Sequence, residues 1–347
     1  MKYIKSDLMP NSAISLTMPN ELSLDQVILL LKQEHDPETA NELTRKFCIQ
    51  SDSDEINKKG MEFLYVNSYL EDLQQLVNKN KASSSISNRK WAAVYQLFLE
   101  RKRQLTPVSE LLRRAEWIET NEPELKCLLE FFKIYIACER REFGDIGNFL
   151  EKQQYLFDNI NDSFLISYFR IRLYQVLFIY YWKRNELIMA RKYAFRALNN
   201  IPSVRSKINL HIDLGLTYTY DTFKQGMYHM NEALSLSKQH NYNQLEKRIV
   251  QQDIPFLAAQ FNETDGIATQ DQGEQAHLEI AKGNHDQAIR ILNQIPLDTP
   301  FKIYYLGLAK QDRNILMHAY KTFIEKRSDF FFSKLPMNAL KQLDIAY

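Results

Sequence analysis

The sequence predicts an all-α fold in which helical hairpins stack into a solenoid. Three observations carry that expectation. The 347-residue chain holds only 9 Gly and 10 Pro, where an average chain of this length has roughly 24 and 17, so the turn residues of a sheet-rich fold are scarce. Tyr (19) and Phe (20) are abundant and provide the large apolar surfaces that helix-on-helix packing uses. Small residues recur at a regular spacing in the second half, most clearly in GEQAHLEIAKGNHDQAIRILNQIPLDTP, residues 273–300.

Taken in order, residues 1–20 carry no clear periodicity. Ser23, with Gln26 three residues on, forms a capping box that opens SLDQVILLLKQEH. Helical periodicity follows over 37–49, 54–78 and 89–103, with the polar stretch NKNKASSSISNRK (78–90) read as a loop. Thr106-Pro107 reads as an N-cap followed by proline at the first helical position, opening VSELLRRAEWIE. Asn121–Pro123 punctuates again. From there apolar residues recur every three or four positions, interrupted mainly by FNETDGIATQDQ (261–272).

The repeat is explicit. Ala276, Gly283, Ala288 and Pro300 define one unit, and Gly307, Asn314 and Ala319 repeat it after a shift of 31 residues. Asn185, Ala190, Ala197 and Pro202 define an earlier unit; Gly226 and Ala233 follow it after 36, and Gly147 is a candidate anchor for a further copy. Small residues at spacings near 34 resemble tetratricopeptide (TPR) repeats, where they stand at the close approach of paired helices, and Gly or Asn supplies the turn. The expectation is therefore a right-handed superhelical solenoid of TPR-like helical hairpins.

Charge and composition narrow the function classes. Apolar residues make up 45% and charged residues 25%, so the chain packs a core instead of remaining disordered. A formal net charge of +1 gives no argument for a nucleic-acid surface. Cys48, Cys127 and Cys138 fit neither a disulfide framework nor a zinc spacing. The N-terminus lacks the apolar core of a signal peptide, and the most apolar run, Leu173–Trp182, is ten residues, too short to span a bilayer. A reducing cytoplasm is the expected location.

Motifs for chemistry are missing. There is no phosphate loop, HExxH, CxxC or GxSxG. His211 and Asp213 are a fragment of a triad, not a triad. The sequence calls for no catalytic residue, no metal and no cofactor. The basic run ERKRQ (100–104) reads as a helix end, where cations complement the dipole. The better candidate site is the concave wall of the solenoid. Setting the repeats in register puts Gln175, His211, Tyr218, His277, Gln311 and Asp312 near that wall, with Arg170, Arg172, Tyr180, Trp182 and Arg184 on or beside one of its helices. Burying Arg172 or Arg184 without a partner is costly, so both are expected at the wall or surface. Such residues suit an extended peptide, with polar groups for its backbone and Arg for a carboxylate.

These segments together resemble a known family. Phe47-Cys48, Lys192-Tyr193 with Arg196-Ala197-Leu198, Ala233-Leu234-Ser235, the EQAH of 274–277 and Leu335-Pro336 occur in the order and spacing of the arbitrium peptide receptors of temperate Bacillus phages, the AimR type, from about Leu22 to Pro336. The resemblance implies a solenoid that binds a short communication peptide, about six residues long, in its concave groove and thereby switches a lysis–lysogeny decision through transcription. It implies a homodimer joined partly through C-terminal helices, and promoter DNA or a host or phage protein as the output partner. It implies no membrane partner.

Carried over residue by residue, the resemblance assigns peptide contacts to Arg205 and Asp329, and to Glu274 and His277 of EQAH. The family's paired groove Asn positions fall near Tyr180 and Arg184, and another falls on Leu216, so a different ligand sequence is expected. His211 and Tyr218 complete the expected peptide-binding set. The expected organisation is an N-terminal segment 1–20 without a full helix-turn-helix, helical repeats over 21–104, the peptide-binding solenoid over 105–336, and a short capping or dimerisation helix over 337–347. The alternatives left open are a Rap-like regulator that is gated by peptide and acts on a protein, and a plain TPR scaffold.

Overall fold

The computed structural model describes residues 22–345, so the expected segment 1–20 lies outside the described residues. Helices make up all the regular structure there, and no strand occurs among the described residues. The chain divides into two compact units. One takes in the described residues to Tyr65 with Tyr69–Leu99; the other takes in Val66–Ser68 and the described residues from Glu100 on.

The first unit is built from α1 (Leu24–Glu34), α2 (Pro37–Gln50), α3 (Asp54–Val66), α4 (Leu70–Lys81) and most of α5 (Ile86–Arg103). The capping box at Ser23 is present, with the Ser23 N–H donating to Gln26 Oε1 at 2.9 Å. Asp36 caps α2, accepting from Glu38 and Thr39 N–H, and Pro37 takes the first helical position. Gly60 is required by packing, because a Cβ there would stand 3.1 Å from the Cβ of buried Cys48.

Two expectations in this unit are corrected. The helix expected over 54–78 is two helices. Ser68 adopts a left-handed φ of 66°, and the Tyr69 N–H returns to the Leu64 carbonyl at 2.9 Å, the bond that closes a helix C-terminus. The loop expected over 78–90 shrinks to 82–85. The polar residues there belong to the helices: the Asn88 amide donates to Asn80 Oδ1 at 2.8 Å and to the Asp54 carbonyl at 3.1 Å, while Asn80 donates back to Leu76. A buried amide network satisfies these groups, so low helix propensity does not expel them.

The second unit continues with α6 (Val108–Glu116), α7 (Pro123–Arg140), α8 (Ile146–Asp158), α9 (Ser163–Lys183), α10 (Leu187–Asn200), α11 (Val204–Leu216), α12 (Phe223–Gln239), α13 (Asn243–Arg248), α14 (Ile254–Gln260), α15 (Gln272–Ala281), α16 (His285–Leu292), α17 (Pro300–Lys310), α18 (Arg313–Lys321) and α19 (Lys334–Ile345). The pairs α9–α10, α11–α12, α15–α16 and α17–α18 are tightly packed hairpins, as the TPR-like expectation requires. Ala190, Ala197, Ala233, Ala276, Ala288 and Ala319 are all fully buried at helix contacts. Asn185 (φ 63°) and Gly283 (φ 83°) supply left-handed turn residues. Irregular chain runs through the expected break before α15.

Several expectations in this unit are corrected. The left-handed residue between α17 and α18 is Gln311 (φ 49°), not Asn314, which lies inside α18. Asp312 then caps α18 by accepting from Asn314 and Ile315 N–H, so Gln311 and Asp312 serve the turn and not a groove wall. Gly147 meets only Tyr180, at an ordinary 3.9 Å, whereas Gly215 and Gly226 face each other so closely that a Cβ on Gly215 would stand 3.0 Å from the Gly226 carbonyl. Thr106 does not cap α6; its hydroxyl donates to Glu100 at 2.9 Å.

Candidate functional site

A cleft of about 590 Å³ opens within the second unit. Its walls come from the C-terminal turn of α9 (Trp182, Lys183), from α11 (Asp213), from Arg248 and the π-turn after it (Asp253), and from α15 (Glu274) and α17 (Lys302, Tyr305). The π-turn, Ile249–Asp253, has a local cause. Pro255 has no N–H to return to the Gln251 carbonyl, and that carbonyl accepts instead from the Thr269 hydroxyl at 2.6 Å. The widened turn sits where Arg248 and Asp253 meet the cleft.

The cleft mixes buried and half-exposed charges: Asp253 is buried, Asp213 is half-buried, and the Arg248 side chain is 41% exposed. Arg248 Nε lies 3.2 Å from Asp253 Oδ2, an ion pair without an aligned hydrogen bond to that oxygen. Burial pushes the Asp253 carboxyl up to about 6, against the pull of Arg248. Burial also raises the Asp213 carboxyl, opposed by Arg248, Lys183 and Arg141. Among the described residues no hydrogen bond or ion pair reaches the Asp213 carboxylate. The Trp182 indole N–H is likewise buried without an acceptor.

Behind the α9 wall, Lys183 Nζ donates to Asp329 Oδ2 at 2.8 Å, and Asp329 Oδ1 accepts from the Phe332 N–H at 3.0 Å. Burial lowers the basicity of Lys183, and Asp329 opposes that shift. The ammonium also rests 3.7 Å from the Trp182 ring centre and 4.5 Å from that of Phe332. On the opposite wall, the Tyr305 hydroxyl donates to Glu274 at 3.0 Å. The His277 ring stacks on Tyr305 at 4.2 Å, and its Nδ1 is 3.5 Å from Glu274 Oε2.

The expected peptide contacts are therefore dispersed. Glu274 lines the cleft; His277 and Asp329 are buried just behind residues that do. Tyr180, Arg184, Arg205, His211 and Tyr218 are not among the lining residues. Arg184 is exposed, bonded to Glu186 at 2.9 Å and placed over the Tyr180 ring. Arg205 is exposed at the start of α11. The His211 and His229 Nδ1 atoms lie 3.1 Å apart, and Tyr218 is buried beneath the Arg191 guanidinium at 3.7 Å. Arg172, expected at the wall or surface, is only 2% exposed; its guanidinium is near the Tyr135 hydroxyl and ring.

Sequence reasoning missed Lys183, Arg248 and Asp253, and noted Asp213 without assigning it. A signal existed. Each sits on or next to an apolar stripe, as in LHIDLGL or RIVQQDIPF, where an ionised group needs a partner or a ligand.

A family model described as AimR transcriptional regulator-like matches residues 40–342. The chain belongs to this AimR-like family. It is 24% identical over 248 residues to an uncharacterized protein of Bacillus anthracis, covering 68% of this chain and 91% of that protein. It is 18% identical over 320 residues to the AimR transcriptional regulator of Bacillus phage phi3T, covering 88% and 83%. Among solved structures, phAimR-Ligand superposes with a TM-score of 0.77 at 17% identity, over 94% of this chain and 99% of that one. SeMet-phAimR gives 0.66 at 17%, over 91% and 87%. At such identities the likeness to the two AimR structures concerns the fold. Among the described residues no group of three His, Cys, Asp or Glu could hold a metal, and no helix is long and apolar enough to cross a membrane.

Proposed function

We propose that this AimR-like chain is a peptide-responsive regulator. A short communication peptide enters the cleft of the second unit and switches a lysis–lysogeny decision at the level of transcription. The observation that carries the reading is a pair of cleft-lining residues whose polar groups have no protein partner, half-buried Asp213 and buried Trp182. The Asp213 carboxylate and the Trp182 N–H have no protein partner among the described residues; the buried N–H is costly unmet, and the half-buried carboxylate is free to accept from a ligand. An extended peptide brings N–H and C=O groups in alternation and suits both.

In this proposal Glu274 contacts the peptide directly, and His277 and Asp329 hold the wall residues Tyr305 and Lys183 in place. Arg205, Tyr180, Arg184, His211 and Tyr218 form a second set of contacts outside the cleft, on α9, α11 and the turn that follows α11. Residues 105–336 form the peptide-binding part, and 337–347 contribute to a homodimer. The protein works in the cytoplasm of the host cell, with promoter DNA as output partner. Switching is a population shift: a peptide that prefers one arrangement of the helices biases the chain toward it. A coupling of about 1–3 kcal/mol changes affinity for the output partner about 5- to 150-fold.

The test is a gel shift with promoter DNA of the chain's own operon, with and without the peptide encoded beside its gene. The peptide should change the retarded fraction by a factor in that range. Retardation that ignores the peptide contradicts the switch. Absence of retardation, with peptide-dependent capture of a protein instead, replaces DNA by a protein target.

A further inference from the structure

Helix α10 turns a face to solvent that packing does not use. Ile188, Lys192, Phe195 and Arg196 are all exposed, and helical geometry sets them within an arc of about 100°. Ile188 is 87% exposed and Phe195 44%. The patch continues onto α12, where Tyr228 is 58% exposed. The Phe195 and Tyr228 rings both pack on the His229 ring, with centres 6.0 and 5.1 Å from it. Single exposed apolar side chains are ordinary, but adjoining ones mark a surface that something covers. None of these residues lines the cleft, so a ligand there does not account for them.

The cations of this face have rings for neighbours and no carboxylate. Lys192 Nζ lies 5.8 Å from the Tyr193 ring centre. The Arg196 guanidinium lies 5.7 Å from that of Tyr193 and 5.8 Å from that of Tyr174. Tyr193 is itself stacked on Tyr181, 5.6 Å between centres and 5° between planes. Among the described residues neither the Lys192 nor the Arg196 side chain makes a hydrogen bond or ion pair. The acids around them are engaged elsewhere: Glu186 bonds Arg184 at 2.9 Å, Asp221 bonds Arg191 at 2.5 Å, and half-buried Glu232 faces His211. The face is thus apolar with a positive edge, and its complement is apolar with a negative edge. Ile188 and Phe195 stand two turns apart, about 10 Å along the axis, the repeat at which a second helix presents its own apolar stripe. Nucleic acid suits the face less well, because phosphates would meet the two cations and leave Ile188 uncovered, with no ring for a base to stack on.

We infer that this face of α10, extended by Tyr228, docks an acidic amphipathic helix of a second protein. The apolar stripe of that helix covers Ile188, Phe195 and Tyr228, and its Asp or Glu side chains pair with Lys192 and Arg196. The surface is separate from the cleft, so the inference stands independently of the peptide-binding reading.

The test pans a displayed library of random dodecapeptides against the full chain and measures each enriched peptide by fluorescence anisotropy. Two variants serve as controls, Ile188→Ser and the charge reversal Lys192→Glu with Arg196→Glu. All three side chains are exposed, so both variants should melt like the wild type. The expected peptides carry Asp or Glu beside apolar residues three or four apart. Each should bind either variant about 10- to 100-fold more weakly than the wild type, and binding should weaken as salt is raised. Enriched peptides that bind both variants at wild-type affinity sit elsewhere, and overturn the inference. So do enriched peptides without acidic residues, and a library that yields no peptide dependent on these positions. Random-sequence duplex DNA and phosphatidylglycerol vesicles are measured alongside. Binding of either one that both variants abolish assigns the face to nucleic acid or to lipid and overturns the acidic helix.

Discussion

Lys183 and Asp329 lie 146 residues apart in sequence and hold each other at 2.8 Å, with side chains 8% and 4% exposed. Asp329→Ala leaves a buried ammonium without its partner and should destabilise the fold by about 3–5 kcal/mol; the apolar pair Lys183→Met with Asp329→Leu should recover most of that. Thermal melts decide it, and a single variant that melts like the wild type would refute the pairing. The role of Asp329 was legible in sequence only as a position in a family pattern, because nothing local to RSDFFF announces a lysine on α9. His211 and His229 make a second residue-scale case. Their facing Nδ1 atoms need one donor and one acceptor, so both rings cannot be protonated together. Burial lowers the pKa of both, His229 to about 4 from an ordinary 6.5, with the like charge of His211 adding to the shift. A depressed folded-state pKa means stability that is present above 6.5 and lost as pH falls toward about 4. The melting temperature should therefore drop between pH 7 and pH 5 by more in the wild type than in His229→Gln; equal drops would remove the pair from the account.

At the scale of elements, the hairpins were legible because steric need writes small residues into the chain at fixed spacing. Ala276 with Ala288, and Gly307 with Ala319, keep the same separation and are buried at helix contacts. The turn slipped relative to those pairs, from Gly283 to Gln311 instead of Asn314, because the turn length varies while the contact does not. The break at Ser68 was hidden: a serine in the left-handed region carries no sequence mark as strong as glycine. The π-turn was equally hidden, since it depends on Thr269 reaching Gln251 from a distant loop. The glycine positions can be ranked. Gly307→Ala places a Cβ 2.9 Å from Leu316 Cγ and 3.1 Å from its backbone nitrogen, and should cost about 1–3 kcal/mol. Gly147→Ala meets nothing closer than 3.9 Å and should be neutral or slightly stabilising, because alanine favours the helix. A melt in which the two variants behave alike would contradict the packing described.

Across the whole molecule, fold class and family were readable from composition, repeat spacing and the order of short segments, because these are distributed over the chain. The cleft was not. Its charged residues come from α7, α9, α11, α13, the π-turn and the later hairpins, and no window of sequence contains two of its walls. The central claim is that this cleft holds a short peptide. Isothermal titration of the full chain with the six-residue peptide encoded beside its gene, repeated with Asp213→Asn and Glu274→Gln, tests it most directly. The account expects saturable heat from the wild type and affinity about 10- to 100-fold weaker in each variant, with unchanged melting temperatures. No saturable heat, or wild-type affinity in both variants, would contradict it.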